Sequence, residues 1–310
     1  MSKERLYIFD TTLRDGAQTQ GVHFSIDEKT KIAHALDSLG VDYIEGGWPG
    51  ANPSDTEFFQ KGLDLKNSKF TAFGMTKKSG RSAENDPGLS AIMNSNTESV
   101  CLVGKTWDFH VKNALKVSFS ENLDMIVDSI EYASKRLDEV IFDAEHFFDG
   151  YKNNKKYSLD IISQAFKSGA KWIVLCDTNG GTLPHELKNI IDDVKGIIPN
   201  DNLGVHFHND TDCSTYNSLE AARLGVKQIQ GTFNGLGERC GNSNLVNVAA
   251  NLILKMGFDC KLKKNIKKIT SASRMIDETL NRQSLRNSPF VGTAAFAHKG
   301  GLHISAVEKD

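Results

Sequence analysis

The segment Asp10-Thr11-Thr12-Leu13-Arg14-Asp15-Gly16 places two carboxylates and a guanidinium directly after the apolar run Leu6-Tyr7-Ile8-Phe9. Charges at a strand end are costly to bury unless they pair with each other, with a metal or with a ligand. Far along the chain, Val205-His206-Phe207-His208-Asn209-Asp210 carries two imidazoles at i and i+2 on an apolar strand. Both rings then face the same side. Asp15 offers a hard anionic oxygen, His206 and His208 two nitrogens, and Asn242, in Gly235-Leu236-Gly237-Glu238-Arg239-Cys240-Gly241-Asn242, an amide oxygen. Three or four protein ligands with open positions describe a catalytic metal site. Mixed oxygen and nitrogen donors suit Mn²⁺, Zn²⁺ or Mg²⁺ without choosing among them. The alternative is a pair of core histidines hydrogen-bonded inside the fold.

Other polar residues follow strand ends. Arg14, beside Asp15, can hold a carboxylate or stabilise an oxyanion; its alternative is an ion pair with Asp10 or Glu45. Thr178, in Asp177-Thr178-Asn179-Gly180-Gly181-Thr182, can bind a substrate carboxylate or cap the next helix. Glu145, expected to be buried before His146, is a candidate acid/base group, or part of a network around the ligands. Gly235-Leu236-Gly237 lacks the third glycine and the downstream acid of a dinucleotide fingerprint. It reads as a tight turn that lets Glu238, Arg239 and Asn242 reach the site.

These groups need a scaffold that brings strand ends together. Apolar, β-branched segments at 5–10, 41–46, 69–74, 98–103, 139–144, 171–176, 203–208 and 227–232 alternate with helical patterns near 26–39, 54–65, 88–94, 121–137, 158–168, 184–196, 213–223 and 243–256. Ser25 and Ser120 read as helix N-caps; Gly40, Gly169 and Gly225 read as left-handed helix ends. Eight βα units close a (β/α)₈ barrel, a TIM barrel of the α/β class. An open doubly wound sheet would carry polar clusters after one or two strands only, whereas here they follow nearly all. The barrel is expected over 1–257. Residues 258–310, with the basic run Lys261, Lys263, Lys264, Lys267 and Lys268 as a solvated face and a helix near 266–280, read as a linker and the start of a small helical subdomain.

The 310 residues are 39% hydrophobic and 25% charged with a net charge of −2, ordinary globular values that give no electrostatic case for nucleic acid or a membrane surface. No stretch of 18 apolar residues and no signal-peptide pattern is found. Five cysteines without a C-x-x-C pair read as reduced thiols. A cytoplasmic enzyme is therefore expected.

The three motifs together resemble the metal-dependent acyltransferases and lyases of the α-isopropylmalate synthase superfamily, which includes isopropylmalate, homocitrate and citramalate synthases and hydroxymethylglutaryl-CoA lyase. Gly40-Val41-Asp42-Tyr43-Ile44-Glu45-Gly46-Gly47-Trp48-Pro49-Gly50-Ala51-Asn52-Pro53 and Asp143-Ala144-Glu145-His146-Phe147-Phe148-Asp149-Gly150-Tyr151 are similar to its citramalate synthase branch. The resemblance implies condensation of acetyl-CoA with pyruvate to citramalate in branched-chain amino-acid biosynthesis. Another 2-keto acid, or a retro-Claisen lyase reaction, is the alternative; a non-catalytic keto-acid-binding protein is disfavoured by the intact polar set. The resemblance further implies that Asp15, His206, His208 and Asn242 bind the metal, Arg14 polarises the keto oxygen and Thr178 holds the carboxylate. Glu145 then lies beside the substrate, and His303 reaches the partner's site in a homodimer. The base is expected to be His303 or, through a water, Glu145. Relatives are implied to continue through that helical subdomain and usually into a C-terminal allosteric domain, and both are expected to be missing here beyond Asp310. A small keto acid calls for a tight pocket, for which Phe73, Met75 and Leu102 are the expected walls, unless they are ordinary barrel-layer residues.

Overall fold

The apolar segments form strands β1 (Arg5–Asp10), β2 (Tyr43–Glu45), β3 (Lys69–Met75), β4 (Ser99–Lys105), β5 (Glu139–Glu145), β6 (Trp172–Asp177), β7 (Leu203–Phe207) and β8 (Gln228–Gly231). Each lies parallel to the next, and β1 pairs with both β2 and β8, so the sheet closes. The computed structural model describes residues 4–300. Helices α1 (Ile26–Leu39), α2 (Pro53–Lys61), α3 (Pro87–Met93), the single turn α4 (Asp108–His110), α5 (Phe119–Ser134), α6 (Phe147–Lys167), α7 (Pro184–Lys195), α8 (Ser214–Arg223) and α9 (Leu245–Ala250) connect the strands. The chain is a (β/α)₈ barrel, as the alternation of elements predicts. Among the described residues no helix is long and apolar enough to cross a membrane.

Strand alternation builds two cores. Ile8, Ile44, Ala72, Val100, Leu102, Phe142, Ile173, Val205 and Ile229 point outward into the layer shared with the helices. Phe9, Tyr43, Phe73, Cys101, Ile141, Trp172, Val174 and Cys176 fill the barrel. At the N-terminal strand ends Trp172 Nε1 donates to Tyr43 Oη (3.2 Å), which donates to Glu139 (2.9 Å), itself paired with Lys69 and Lys171. This plug closes one end, and the polar chemistry is left to the other.

Local signals account for most boundaries. Ser25 caps α1 in a reciprocal box with Glu28, and Gly40 ends it at φ 95°. Ser118, not Ser120, caps α5, accepting from Glu121 N. Helix α6 starts eleven residues before the expected 158, and Asn154 (φ −145°) breaks it into two runs, the second of which holds the expected segment. Beyond residue 257 the chain does not leave as a linker. Strand β9 (Asp259–Cys260) pairs with β1, and α10 (Ile269–Thr279) buries Ile269, Ala272 and Ile276 in the same outer core.

Candidate active site

The site is laid out by the turn after β1. Thr11 O accepts from the backbone N–H of Arg14 (3.2 Å), Asp15 (2.9 Å) and Gly16 (3.0 Å), while Asp10 accepts from Thr12 N and Oγ1. The turn holds Arg14 and Asp15 over the C-terminal mouth. Arg14 Nε donates to Glu45 (2.7 Å), its Nη1 lies 3.5 Å from Asp15, and its guanidinium sits 4.0 Å from the centroid of the Phe73 ring. The ion pair with Glu45 is therefore present, and Asp10 takes no part in it. Arg14 also lines the cavity.

Residues His206 and Asn242 come together from two elements. His206 is on β7; His208 lies one residue past its end, bridged to Asn242. His206 Nε2 is 3.2 Å from Asp15 Oδ2 and 2.9 Å from Asn242 Oδ1. His208 Nε2 is 3.9 Å from Asp15 Oδ2. Asn242 Nδ2 donates to Leu236 O (3.0 Å), which turns its oxygen toward His206. The glycines before Asn242 make this possible. A Cβ on Gly237 (φ 149°) would lie 2.2 Å from Asn242 Nδ2, and one on Gly241 (φ 85°) would lie 2.0 Å from Gly235 O.

Burial raises the cost of charge on Asp15, but Arg14 and then His206 hold its carboxyl well below the usual range. Burial likewise opposes a charged His206, yet its bond to Asp15 raises it overall. His208 is pushed down to about 3 by burial and by the neighbouring His206. The donors fit a cation. One ligand atom each from Asp15, His206 and His208 lies within 4.8 Å of the others. His206 Nδ1 faces Gln230 Oε1 at 2.9 Å, and its Nε2 faces two oxygens that can only accept, an arrangement satisfied by a second ring proton or, in its place, by a cation among the three groups.

A cavity of about 750 Å³ opens above these groups. Arg14, Asp15, Trp48, Phe73, Met75, Val103, Asp143, Glu145, Cys176, Thr178, His206 and His208 line it. Glu145 is half-buried rather than buried and is ion-paired with Lys105. Thr178 caps no helix; its Oγ1 accepts from His146 N (2.9 Å), and α7 begins after Leu183. Leu102 is a correction. It is paired with Gly74 on β3 and faces the helix layer, fully buried, because the strand alternates. Its neighbour Val103 takes the inward place. His303 lies outside the described residues. Sequence reasoning missed Gln230 and Asp143, although Gln228-Ile229-Gln230 repeats the i, i+2 polar pattern of the histidine strand.

A family model described as HMGL-like matches residues 5–276. Curated proteins described as (R)-citramalate synthase match with identities from 50% to 41%. That of Aquifex aeolicus (strain VF5) is 50% identical over 99% of this chain and 58% of its own length. The chain therefore spans somewhat over half of that relative. A 2-isopropylmalate synthase of Shewanella frigidimarina is 34% identical over 98% of this chain and 58% of its own. Among solved structures, the HMG-CoA lyase of Bacillus subtilis superposes with a TM-score of 0.77 at 20% identity, covering 93% of this chain and 98% of that one. This likeness concerns the fold.

Proposed function

The chain belongs to the HMGL-like family, and from that premise we propose that it condenses acetyl-CoA with pyruvate to citramalyl-CoA, whose thioester water then hydrolyses to citramalate and CoA. The observation that carries the reading is the convergence of Asp15, His206 and His208 beside Arg14 on the floor of one cavity. The higher identity to citramalate than to isopropylmalate synthases supports the choice of keto acid.

Asp15, His206, His208 and Asn242 would hold a divalent cation, which when bound supplies Lewis acidity toward a keto acid. Arg14 is fixed by Glu45 and by the Phe73 face, so its charge is already in place where alkoxide charge develops at C2. Thr178 Oγ1 accepts from His146 N and keeps its own hydroxyl proton for a substrate carboxylate. Glu145, at the same cavity and held by Lys105, takes the proton from the acetyl methyl group through a water. His303 of a partner subunit in a homodimer is the other candidate for that role. Trp48 and Phe73 meet edge to face at 5.5 Å and, with Val103 and Met75, give the cavity an apolar wall suited to the methyl group of pyruvate.

The test is thiol release from acetyl-CoA with Mn²⁺ and either pyruvate, 2-oxoisovalerate or 2-oxoglutarate. Pyruvate is expected to give a kcat/KM at least about tenfold above the others. A chelator is expected to abolish release and added Mn²⁺ to restore it. Equal or better use of 2-oxoisovalerate would overturn the choice of pyruvate.

A further inference from the structure

Gln230 and His206 are register partners on adjacent strands, and both point into the barrel. Gln230 is fully buried. Its amide orientation is fixed by what its nitrogen meets. Nε2 donates to Asp143 Oδ1 (3.2 Å) and to Gln228 Oε1 (3.3 Å), both acceptors. A flipped amide would set an oxygen against these two oxygens. Oε1 therefore faces His206 Nδ1 at 2.9 Å and must accept from it. With Nδ1–H given to Gln230, Nε2 is the ring nitrogen left to face a cation, and it is the atom beside Asp15 and Asn242. Asp143 reaches Gln230 from β5, on another side of the barrel, so the arrangement is braced across the interior.

We propose that Gln230, oriented by Asp143 and Gln228, is a positioning residue that sets the tautomer of His206 and so presents Nε2 as a ligand nitrogen. The proposal rests on the metal-dependent reading for its use, but the tautomer can be read without a metal. Outer partners of ligating histidines act in this way, and their loss commonly weakens metal binding about 10- to 100-fold.

Two measurements test it. The first is ¹⁵N–¹H NMR of the His206 ring in metal-free wild-type protein at pH 8.5, which is expected to show a proton on Nδ1. A ring protonated at Nε2 alone overturns the proposal, whatever the protein binds. The second is calorimetric titration of Mn²⁺ into Gln230→Met and Gln230→Glu. Gln230→Met is expected to weaken binding about 10- to 100-fold. Gln230→Glu is made together with Asp143→Asn, so that the new carboxylate keeps an acceptor for Nδ1–H and meets an amide donor instead of a second carboxylate, and this pair is expected to recover most of the affinity. A merely structural role would weaken both variants alike, and that result, or Gln230→Met binding as wild type does, overturns the proposal. Wild-type protein that binds no divalent ion but shows the proton on Nδ1 would instead remove the metal reading and leave the positioning of His206 standing.

Discussion

Arg14 and Asp10 lie four residues apart and carry opposite demands. Arg14 is charged, clamped between Glu45 and Asp15. A lysine keeps the charge but loses the planar fork that reaches both carboxylates and covers Phe73. Arg14→Lys is expected to retain bound metal and lose about 10²–10³ in kcat with pyruvate, measured by thiol release. Turnover within a few-fold of wild type would make Arg14 a structural ion-pair member only. Asp10 is buried, and burial pushes its carboxyl up to about 7 despite the Thr12 hydrogen bonds. In the unfolded chain it ionises near the ordinary value of 3.8. Its folded value is the higher one, so the unfolded state loses its proton first as pH rises. Asp10 thus contributes stability at low pH that is lost between about pH 4 and pH 7, on the order of a few kcal/mol. Asp10→Asn is expected to flatten that part of the profile in chemical denaturation, with the variant gaining on wild type as pH rises through the window. Parallel profiles would show that Asp10 ionises normally in the fold.

At the scale of the element, much of the outcome depends on which face of a strand a residue occupies. The strand segments are legible in the sequence because β-branched runs and polar ends recur eight times. The facing of β4 is not. All its residues from Ser99 to Leu102 are buried, since one face meets the helices and the other fills the barrel, so no hydrophobic-polar alternation marks the inward side. Leu102 and Val103 look alike in sequence and face opposite ways in the fold. Leu102→Ala is expected to cost about 2–5 kcal/mol of stability in denaturant unfolding and to leave keto-acid preference unchanged. Val103→Ala is expected to cost less and to raise the use of 2-oxoisovalerate relative to pyruvate. The reverse pattern would contradict the register of β4. The histidine strand was legible for the opposite reason. Polar side chains at i and i+2 stand out on an apolar strand, and Gln228 and Gln230 give the same signal one strand further on. Asp143 was hidden, because an acid inside a strand has no local pattern that says which groups it meets across a barrel.

For the whole molecule, eight strand ends converge on one mouth, and that convergence lets residues near positions 15, 45, 143, 178, 206 and 242 share one small space. The closing of the barrel follows from the count of βα units. The packing of β9 and α10 against β1 and the outer core does not, since a two-residue strand and a basic surface run carry little periodic signal. At the opposite end Trp172, Tyr43 and Glu139 are linked by hydrogen bonds, and the candidate site lies in the upper polar layer. The account stands or falls on the bond made in that layer. The most direct measurement is ¹³C NMR of the product formed from [2-¹³C]pyruvate, acetyl-CoA and Mn²⁺. The account predicts that the keto-carbon signal gives way to a quaternary carbinol carbon, at a rate that Asp15→Asn and His208→Ala abolish. An unchanged keto-carbon signal while CoA is released, or a carbinol formed equally well by His208→Ala, would contradict it.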